Sequence, residues 1–296
     1  MKIVNFGSLN IDYVYSVDHI VVPGETISSG GLQIFCGGKG LNQSVALARA
    51  GAEVSHAGAV GEDGGMLLDL LGQNGVSCNN VFQVKGSNGC AIIQVNKAGQ
   101  NSIILYGGSN RSLTKDMIDQ SLESVLSGDF VLLQNETNLI DYIIDAAYAK
   151  GARVIMNPSP YDEAVKSCDL SKVWMIFVNE IEGGQIAGTN DIALIPEKIL
   201  GLYPEMKIVL TLGEEGSLYC DKTQTSKTEI FRTEVVDTTA AGDTFLGYFI
   251  ASTIRGMKPK TALAAASMAA SLAVSRKGAA HSIPLLAEVE EALEHI

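Results

Sequence analysis

The sequence predicts an α/β fold with a mostly parallel central sheet flanked by helices, together with a small β-sheet lid. From residue 53 onward, apolar runs of strand length alternate with segments of helical period, which is typical of a parallel sheet with helices on both faces. Two segments, 13–35 and 90–106, instead alternate apolar and polar residues around turns and predict short antiparallel strands. We assign residues 1–12, 36–87 and 107–296 to the main domain and residues 13–35 and 88–106 to the lid.

Composition narrows the class of protein. The chain has 296 residues, of which 46% are hydrophobic and only 7 are proline, so we expect an ordered globular protein of one large domain or two ordinary ones. Its net charge of -12 argues against nucleic acid or an anionic membrane as a partner. The longest apolar run, 261–274, is shorter than the ~20 residues needed to span a bilayer and is predicted to form a buried helix.

The cysteines and the amino-terminal segment indicate a location. Five cysteines occur without a CxxC pair and without a Cys/His cluster of zinc-binding spacing, which favours free thiols in a reducing compartment. Residues 1–7 resemble a strand more than a signal peptide. We therefore expect a cytoplasmic protein.

The first strand, predicted over residues 2–8, is followed by Asn10 and Asp12. Ligands of open α/β sheets bind beyond the carboxyl ends of strands. These two short polar side chains are therefore candidates to hydrogen-bond a hydroxylated ligand. The alternative is that they form an Asx turn leaving the strand.

A glycine-rich turn at residues 36–43 precedes a helix predicted to stop at Gly51. Its glycines permit close approach of the backbone, and Lys39 and Asn42 add hydrogen-bond donors that suit a polyhydroxy ligand. The turn is not a Walker A motif, because Lys39 is followed by Gly40 and not by Ser or Thr. No GxGxxG follows a predicted strand, which disfavours a dinucleotide-binding Rossmann domain.

The following strands and helices are predicted at 54–60, 66–73, 130–134, 139–150, 153–157, 173–178, 192–202 and 208–212. Polar groups recur where these late strands end, at residues 135–136, 157–160, 179–182 and 211–216. Because parallel strands bring their carboxyl ends to one edge of the sheet, the series predicts a single site there.

Residues 234–245 predict the end of a strand that leads through small residues into a helix opening at Gly242. Backbone N–H groups at a helix start can bind an anion such as phosphate. Asp243, in the first helical turn, is either a base for phosphoryl transfer, whose loose transition state tolerates a weak base, or a cap without chemistry. Further on, the loop 276–284 offers carbonyl oxygens that suit a hard cation.

Taken together, these motifs resemble the ribokinase-like (PfkB) carbohydrate kinase family over nearly the whole chain. The resemblance rests on residues 7–12, 23–26, 37–43, 157–160, 179–182, 211–213, 237–245 and 276–279. It implies a ribokinase-like three-layer sandwich and ATP-dependent phosphorylation of a primary hydroxyl of a sugar, D-ribose foremost. Deoxyribose, fructose, adenosine and pseudouridine remain alternative acceptors, and a non-catalytic sugar-binding sensor is an alternative of another class.

The resemblance also implies roles for individual residues. Asp243 is similar to the general base, and Ala240, Ala241 and Gly242 to the anion hole. The implied sugar contacts are Asn10, Asp12, Gly38, Lys39, Asn42, Glu136 and Asp243. The implied contacts of the nucleotide and its Mg²⁺ are Asn179, Glu182, Thr211, Gly213, Gly216, Gly242 and Ser267. The implied ligands of an activating monovalent cation, usually K⁺, are Asp237, Thr239, Ala273, Arg276, Gly278 and Ser282.

Two further expectations accompany the family resemblance. Ser267 stands where members often carry Asn or His, which leaves the adenine contacts open. The lid has an exposed edge that a second subunit could cover, so we expect a homodimer formed through the lid.

Overall fold

The computed structural model describes residues 1–295, and residue 296, the last of the predicted main domain, lies outside the described residues. The strands are β1 (Ile3–Phe6), β2 (Asn10–Val17), β3 (Gly31–Gly37), β4 (Val54–Val60), β5 (Ser77–Gln83), β6 (Gly89–Asn96), β7 (Asn101–Tyr106), β8 (Phe130–Gln134), β9 (Arg153–Asn157), β10 (Val173–Asn179), β11 (Lys207–Thr211), β12 (Ser217–Cys220) and β13 (Thr225–Thr228). The α-helices are α1 (Lys39–Arg49), α2 (Gly65–Gln73), α3 (Lys115–Leu122), α4 (Ile140–Ala149), α5 (Glu163–Lys166), α6 (Glu180–Ala187), α7 (Ile195–Leu202), α8 (Ala241–Ile254), α9 (Pro259–Val274) and α10 (Leu286–Glu294).

The main sheet has the strand order β13-β12-β11-β10-β9-β8-β1-β4-β5. Neighbouring strands from β11 to β5 are parallel, while β12 and β13 add an antiparallel edge. Strand β1 lies between β8 and β4, where the strand order reverses. In such sheets the crevice beside the reversal, at the carboxyl ends of the strands, is where ligands bind.

Side chains of the sheet alternate between two separate cores. Ile3 and Leu132 pack into the core on the side of α1, α8 and α9, whereas the adjacent Val4 and Val131 pack into the core on the side of α3, α4 and α7. This alternation follows from the two-residue period of a strand, and it explains why the buried strands read as continuous apolar runs. The predicted three-layer α/β fold is confirmed.

The small sheet has the order β3-β2-β6-β7. The outer pairs β2–β3 and β6–β7 are antiparallel, as predicted, while the central pair β2–β6 is parallel. Strand β2 starts at Asn10 and strand β3 ends at Gly37. Both strands therefore extend a few residues beyond the predicted lid segment 13–35, into the ranges assigned to the main domain. The division into a main domain and a lid stays a prediction.

The predicted strand end at 234–236 is wrong. Val235 and Val236 are more than half exposed, and the N–H groups of Val236 and Asp237 donate to the carbonyl of Val274, at the end of α9, at 2.8 and 3.1 Å. A pair of valines flanked by polar residues is too short to bury a strand face. Helix α8 begins at Ala241, one residue before the predicted Gly242.

The longest apolar run of the sequence forms α9, a 16-residue helix with much of its surface buried in the core, as predicted. Among residues 1–295, no helix combines the length and hydropathy that a bilayer crossing requires.

Helices α1 and α8 lie in backbone contact at Gly247. A Cβ atom built on Gly247 would lie 2.4 Å from the Cβ of Ala46, closer than non-bonded carbons approach. The absence of a side chain therefore sets the distance between these two helices, both of which carry predicted site residues.

Candidate active site

A cavity of about 260 Å³ lies at the carboxyl ends of β9, β10 and β11, beside the start of α8. It brings together many of the predicted site residues, namely Lys39, Asn179, Glu182, Thr211, Ala240, Ala241, Gly242 and Asp243. A second cavity of about 210 Å³ lies at the opposite edge of the sheet, around Lys2, Glu53 and Asp129, and collects none of them. The first cavity therefore lies at the sheet edge where the sequence predicts a single site.

The start of α8 presents free backbone donors to this cavity. Ala240 caps the helix in a left-handed conformation, with φ 59° and ψ 12°, and turns the chain into the helix. Within residues 1–295, the N–H groups of Gly242 and Asp243 have no acceptor, whereas that of Ala241 donates to the Thr238 carbonyl at 3.3 Å. Two donors at the positive end of a 14-residue helix can bind an anion.

The Asp243 carboxylate is buried and held at both oxygens. Oδ2 accepts a hydrogen bond from Asn42 Nδ2 at 3.1 Å and Oδ1 accepts one from Gln43 Nε2 at 2.8 Å. Both donors come from the first turns of α1, so α1 orients a group that belongs to α8. Asn42 Oδ1 is buried without a partner among the described residues and can accept a hydrogen bond from a hydroxyl group.

Glycines before α1 make room for Asp12. A Cβ atom on Gly37 would lie 2.0 Å from Asp12 Oδ2, and Gly38 has φ 95°, a conformation that favours glycine. Glu136 accepts hydrogen bonds from the backbone N–H of Lys39, at 3.0 Å, and from the Ser8 hydroxyl. The predicted sugar-binding residues therefore lie close together at the start of α1.

The charges of this cluster influence one another. Burial and the charge of Glu136 raise the pKa of Asp12 to about 7. Burial lowers the pKa of Lys39, but the carboxylates of Asp243, Glu136 and Glu182 more than offset it, so the pKa lies above its ordinary value. Lys39 is therefore a cation among carboxylates.

Asn10 begins β2, and its Oδ1 accepts a hydrogen bond from Asn110 Nδ2 at 2.7 Å. Within residues 1–295 its own amide N–H groups donate to no protein acceptor. Asn10 thus retains donors for a ligand.

The predicted nucleotide residues lie at the ends of β10 and β11. Asn179 and Glu182 form a capping box in which Asn179 Oδ1 accepts from the N–H of Glu182 at 2.8 Å and Glu182 Oε2 accepts from the N–H of Asn179 at 3.2 Å. Thr211 ends β11. Gly213 and Gly216 follow with φ 51° and 94°, and a Cβ atom on Gly216 would lie 2.1 Å from the Thr228 carbonyl oxygen.

Three of the predicted nucleotide residues do not line the cavity, namely Gly213, Gly216 and Ser267. The two glycines follow closely after Thr211, which ends β11, whereas Ser267 is buried on α9. The structure therefore does not bring Ser267 together with the rest of the site.

The predicted cation residues lie in the loops before α8 and after α9. Asp237 Oδ1 accepts from the N–H and hydroxyl of Thr239 at 2.9 and 2.6 Å, and Oδ2 accepts from the N–H of Gly278 at 3.0 Å. Although burial opposes ionisation, these hydrogen bonds hold the pKa of Asp237 below its ordinary value. Arg276 N–H donates to the Ala273 carbonyl at 3.0 Å.

The side chains of Arg276 and Ser282 have partners outside this group. The Arg276 guanidinium pairs with Glu288 at 2.5 Å, and the Ser282 hydroxyl donates to the Ala279 carbonyl at 2.8 Å. Any contribution of these two residues to a cation site would therefore come from their carbonyl oxygens.

Four polar residues of the site were not among the predicted site residues. Gln43 contacts Asp243, and Asn157, Ser159 and Thr238 line the cavity. Asn157 belongs to the series of polar strand ends, and Gln43 follows Asn42 within the glycine-rich motif. Asn157 and Gln43 thus belong to motifs that the sequence reveals, but their roles depend on contacts between distant segments of the chain.

Comparisons with known proteins agree with the family resemblance of the sequence motifs. Residues 1–286 match the pfkB family carbohydrate kinases. The chain is 34% identical to a ribokinase of Haemophilus influenzae, covering 98% of this chain and 97% of that protein. It is 30% identical to a deoxyribokinase of Salmonella typhi, covering 99% of each.

Solved structures give the same result. The ribokinase from Cryptococcus neoformans var. grubii serotype A in complex with ADP superposes with a TM-score of 0.88 at 32% identity, covering 98% of this chain and 99% of that one. An Arabidopsis thaliana ribokinase complexed with ribose and ATP has a TM-score of 0.86 at 28% identity, covering 99% and 98%.

Proposed function

Because the chain belongs to the pfkB family of carbohydrate kinases, we propose that it transfers the γ-phosphoryl group of ATP to the primary hydroxyl of D-ribose. The product would be D-ribose 5-phosphate. One observation carries the proposal: the Asp243 carboxylate, oriented by two amides, lies next to backbone N–H groups that have no acceptor within residues 1–295. A base and an anion site are thus adjacent.

In the proposed reaction Asp243 accepts the proton of the sugar hydroxyl. The hydroxyl oxygen forms a bond to the γ-phosphorus while the bond from that phosphorus to ADP breaks. Within the anion hole predicted at Ala240 to Gly242, the N–H of Ala241 is engaged by the Thr238 carbonyl. The N–H groups of Gly242 and Asp243 therefore stabilise the negative oxygens of the transferring group. The Lys39 cation adds a positive charge nearby.

Two features support D-ribose as the acceptor. Asp12, Glu136 and Asn42 offer oxygens that can accept hydrogen bonds from sugar hydroxyls, and a site built for such bonds discriminates against analogues that lack them. Full-length similarity to ribokinases, one of them complexed with ribose and ATP, points the same way. Similarity to a deoxyribokinase makes deoxyribose the nearest alternative, ahead of fructose, adenosine and pseudouridine.

The residues present fit a divalent cation. Glu182 is buried, lines the cavity and uses only Oε2 in hydrogen bonds within residues 1–295. Carboxylate oxygens and water are the ligands that Mg²⁺ prefers. Glu182 and Asn179 would hold Mg²⁺ and its waters beside the ATP phosphates, where the ion supplies neutralising charge.

A monovalent cation also fits. The Asp237 carboxylate ties Thr239 to Gly278, and so it joins the loop that directly precedes α8 to the loop that follows α9. Carbonyls of Ala273, Arg276, Gly278 and Ser282, with Asp237 and Thr239, would hold K⁺. That ion would act indirectly, by stabilising the loop that forms the anion hole.

The test is ADP formation with D-ribose, deoxyribose, fructose, adenosine and pseudouridine, each with and without Mg²⁺ and K⁺. We expect Asp243→Ala to lower kcat by at least ~10²-fold with little change in sugar affinity, the usual contribution of a positioned base. Asp116→Ala, at an exposed aspartate in the first turn of α3, is the matched control. Unchanged turnover in Asp243→Ala would remove the base, and sugar binding without ADP formation would favour a sensor.

We also propose that two copies associate through the small sheet. Across the four strands Ile34 pairs with Tyr13, Tyr13 with Ile92 and Ile92 with Ile104. The three isoleucines are 42–61% exposed, and exposed apolar clusters are typical of protein–protein contacts. Light scattering should show a dimer that Ile104→Lys dissociates, and a monomeric wild type would contradict it.

A cytoplasmic location stays a prediction based on the five free cysteines.

A further inference from the structure

Behind Asp243 lies a buried group of side-chain amides to which the proposed reaction assigns no role. Gln43 is fully buried. Its Nε2 donates to Asp243 at 2.8 Å and to Asn157 Oδ1 at 3.1 Å, and its Oε1 accepts from Gln134 Nε2 at 2.7 Å. Because both N–H bonds and the carbonyl oxygen are engaged within the protein, Gln43 is not free to bind sugar or nucleotide.

The hydrogen bonds continue far from the cavity. Gln134 Nε2 also donates to Asn5 Oδ1 at 2.9 Å, and Asn5 Nδ2 donates to Ser44 Oγ at 2.9 Å. The Ser44 hydroxyl lies 2.8 Å from His56 Nδ1, and His56 Nε2 lies 3.2 Å from the Gly7 carbonyl oxygen. An unbroken chain of buried polar groups therefore links the Asp243 carboxylate to strand β4.

Backbone carbonyls set the direction of every bond in this chain. A side-chain amide can turn over, and its neighbours decide which atom faces which. The Gly40 carbonyl can only accept, so it engages Asn5 Nδ2 at 2.9 Å and leaves Asn5 Oδ1 to accept from Gln134. The Phe177 carbonyl likewise engages Asn157 Nδ2 at 3.1 Å and leaves Asn157 Oδ1 toward Gln43.

The Gly40 and Phe177 carbonyls thus both require Gln43 to turn its N–H groups, and not its oxygen, toward Asp243. At the far end, burial lowers the pKa of His56 to about 4. The imidazole is therefore neutral at physiological pH, and the Gly7 carbonyl keeps its proton on Nε2. Nδ1 is then free to accept from Ser44, which completes the series without a buried charge.

We propose that Gln43 is a positioning residue for Asp243, held in its donating orientation by the chain that runs through Gln134 and Asn5. This inference rests on the proposed function, since it assumes that Asp243 is the base. An N–H donor facing the carboxylate fixes its direction, whereas an amide oxygen in the same place would repel it. A misplacement of about 1 Å at a reacting group can cost about 10²-fold in rate.

The main test is Gln43→Met, which keeps a similar volume and removes the donors. Asn42 still holds the other carboxylate oxygen, so we expect kcat to fall by about 10- to 100-fold while the KM for D-ribose changes by less than about 3-fold. Gln120→Met, at an exposed glutamine of α3, should match the wild type. Calorimetric binding of D-ribose verifies that each variant is folded.

Gln43→Glu keeps the shape of the side chain and covers the case in which the methionine variant fails to fold. An ionised glutamate repels Asp243, whereas a protonated one donates a hydrogen bond to it. We expect the ratio of its kcat to that of the wild type to rise as the pH falls from about 8.5 to about 6. Lys39 and Glu182, the other charged side chains that line the cavity with Asp243, are common to both proteins.

The outcomes separate the two proposals. Wild-type kcat in Gln43→Met, or a Gln43→Glu ratio that does not vary with pH, overturns the role of Gln43 while leaving Asp243 as the base. Unchanged turnover in Asp243→Ala overturns the base itself. A structural defect without a positioning role would lower both variants equally at every pH.

Discussion

Replacing Gly247 by alanine measures how much the close contact of α1 with α8 contributes to the site. A Cβ atom there would lie 2.4 Å from Ala46 Cβ and 2.9 Å from both the carbonyl carbon of Ala46 and the nitrogen of Leu47. Carbon atoms prefer separations of about 3.5–4.0 Å. Because two of the three obstructing atoms belong to the backbone, no change of rotamer can relieve the clash, and the helices must move apart by about 1 Å.

The expected cost follows from two opposing effects. Overpacking costs about 1–3 kcal/mol, whereas alanine is favoured over glycine inside a helix by about 1 kcal/mol. The free energy of unfolding should therefore fall by about 0–2 kcal/mol. Asp243 lies one turn before Gly247, and Asn42 one turn before Ala46, so the same movement stretches the hydrogen bonds of 2.8 and 3.1 Å to Asp243 beyond bonding distance.

We therefore expect Gly247→Ala to lower kcat by about 10²-fold although residue 247 does not line the cavity. Urea unfolding and steady-state kinetics measure the two effects. Gly72→Ala in α2, where a Cβ atom would meet nothing within 4 Å, is the matched control and should stabilise the protein by about 0.5–1 kcal/mol without a change in kcat. If Gly247→Ala behaved like Gly72→Ala in both assays, the reasoning would be refuted.

Two further substitutions test local features of the site. The pKa of Asp12 is raised to about 7 in the folded protein. Between about pH 4 and 7 the unfolded chain therefore releases a proton that the folded protein keeps, and the free energy of unfolding falls as the pH rises. In urea titrations, Asp12→Asn should stabilise the protein more at pH 8 than at pH 5, and an equal effect at both pH values would contradict this. At Ala240, φ 59° costs a non-glycine residue about 1–2 kcal/mol, and the flexibility of glycine in the unfolded chain offsets about 0.4–1 kcal/mol of this. Ala240→Gly should therefore raise the free energy of unfolding by about 0–1.6 kcal/mol, and a loss of stability would show that the conformation is not strained.

In the main sheet, the central strands were predictable and the edge strands were not. Strands β8 and β9 lie at their predicted bounds, 130–134 and 153–157, because buried parallel strands are continuous apolar runs with polar residues at their ends. The edge strands β5 and β13 have the sequences SCNNVFQ and TSKT, which carry little of that signal because one side of an edge strand faces solvent. Conversely, the apolar Val235 and Val236 predicted a strand that does not form.

Within the candidate site, the sequence predicted the residues that belong to compact motifs. Lys39, Asn42 and Asp243 come together as expected, because each motif fixes its own turn and the strand order brings the turns to one edge. The role of Gln43 was not predictable, since it depends on Gln134 and Asn157, 91 and 114 residues away in the chain. Such contacts leave no local pattern.

The hydrogen bond from Asn42 to Asp243 joins residues 201 positions apart, and this separation bears on biosynthesis. At about 5–20 residues per second, a ribosome needs about 10–40 s to make the intervening segment. During that time α1 has emerged, but the helix that covers its apolar side does not yet exist. The apolar side of α1 is therefore exposed in the nascent chain until α8 is made. Protection by chaperones during translation thus matters more for this enzyme than for one in which contacting segments are neighbours in the sequence.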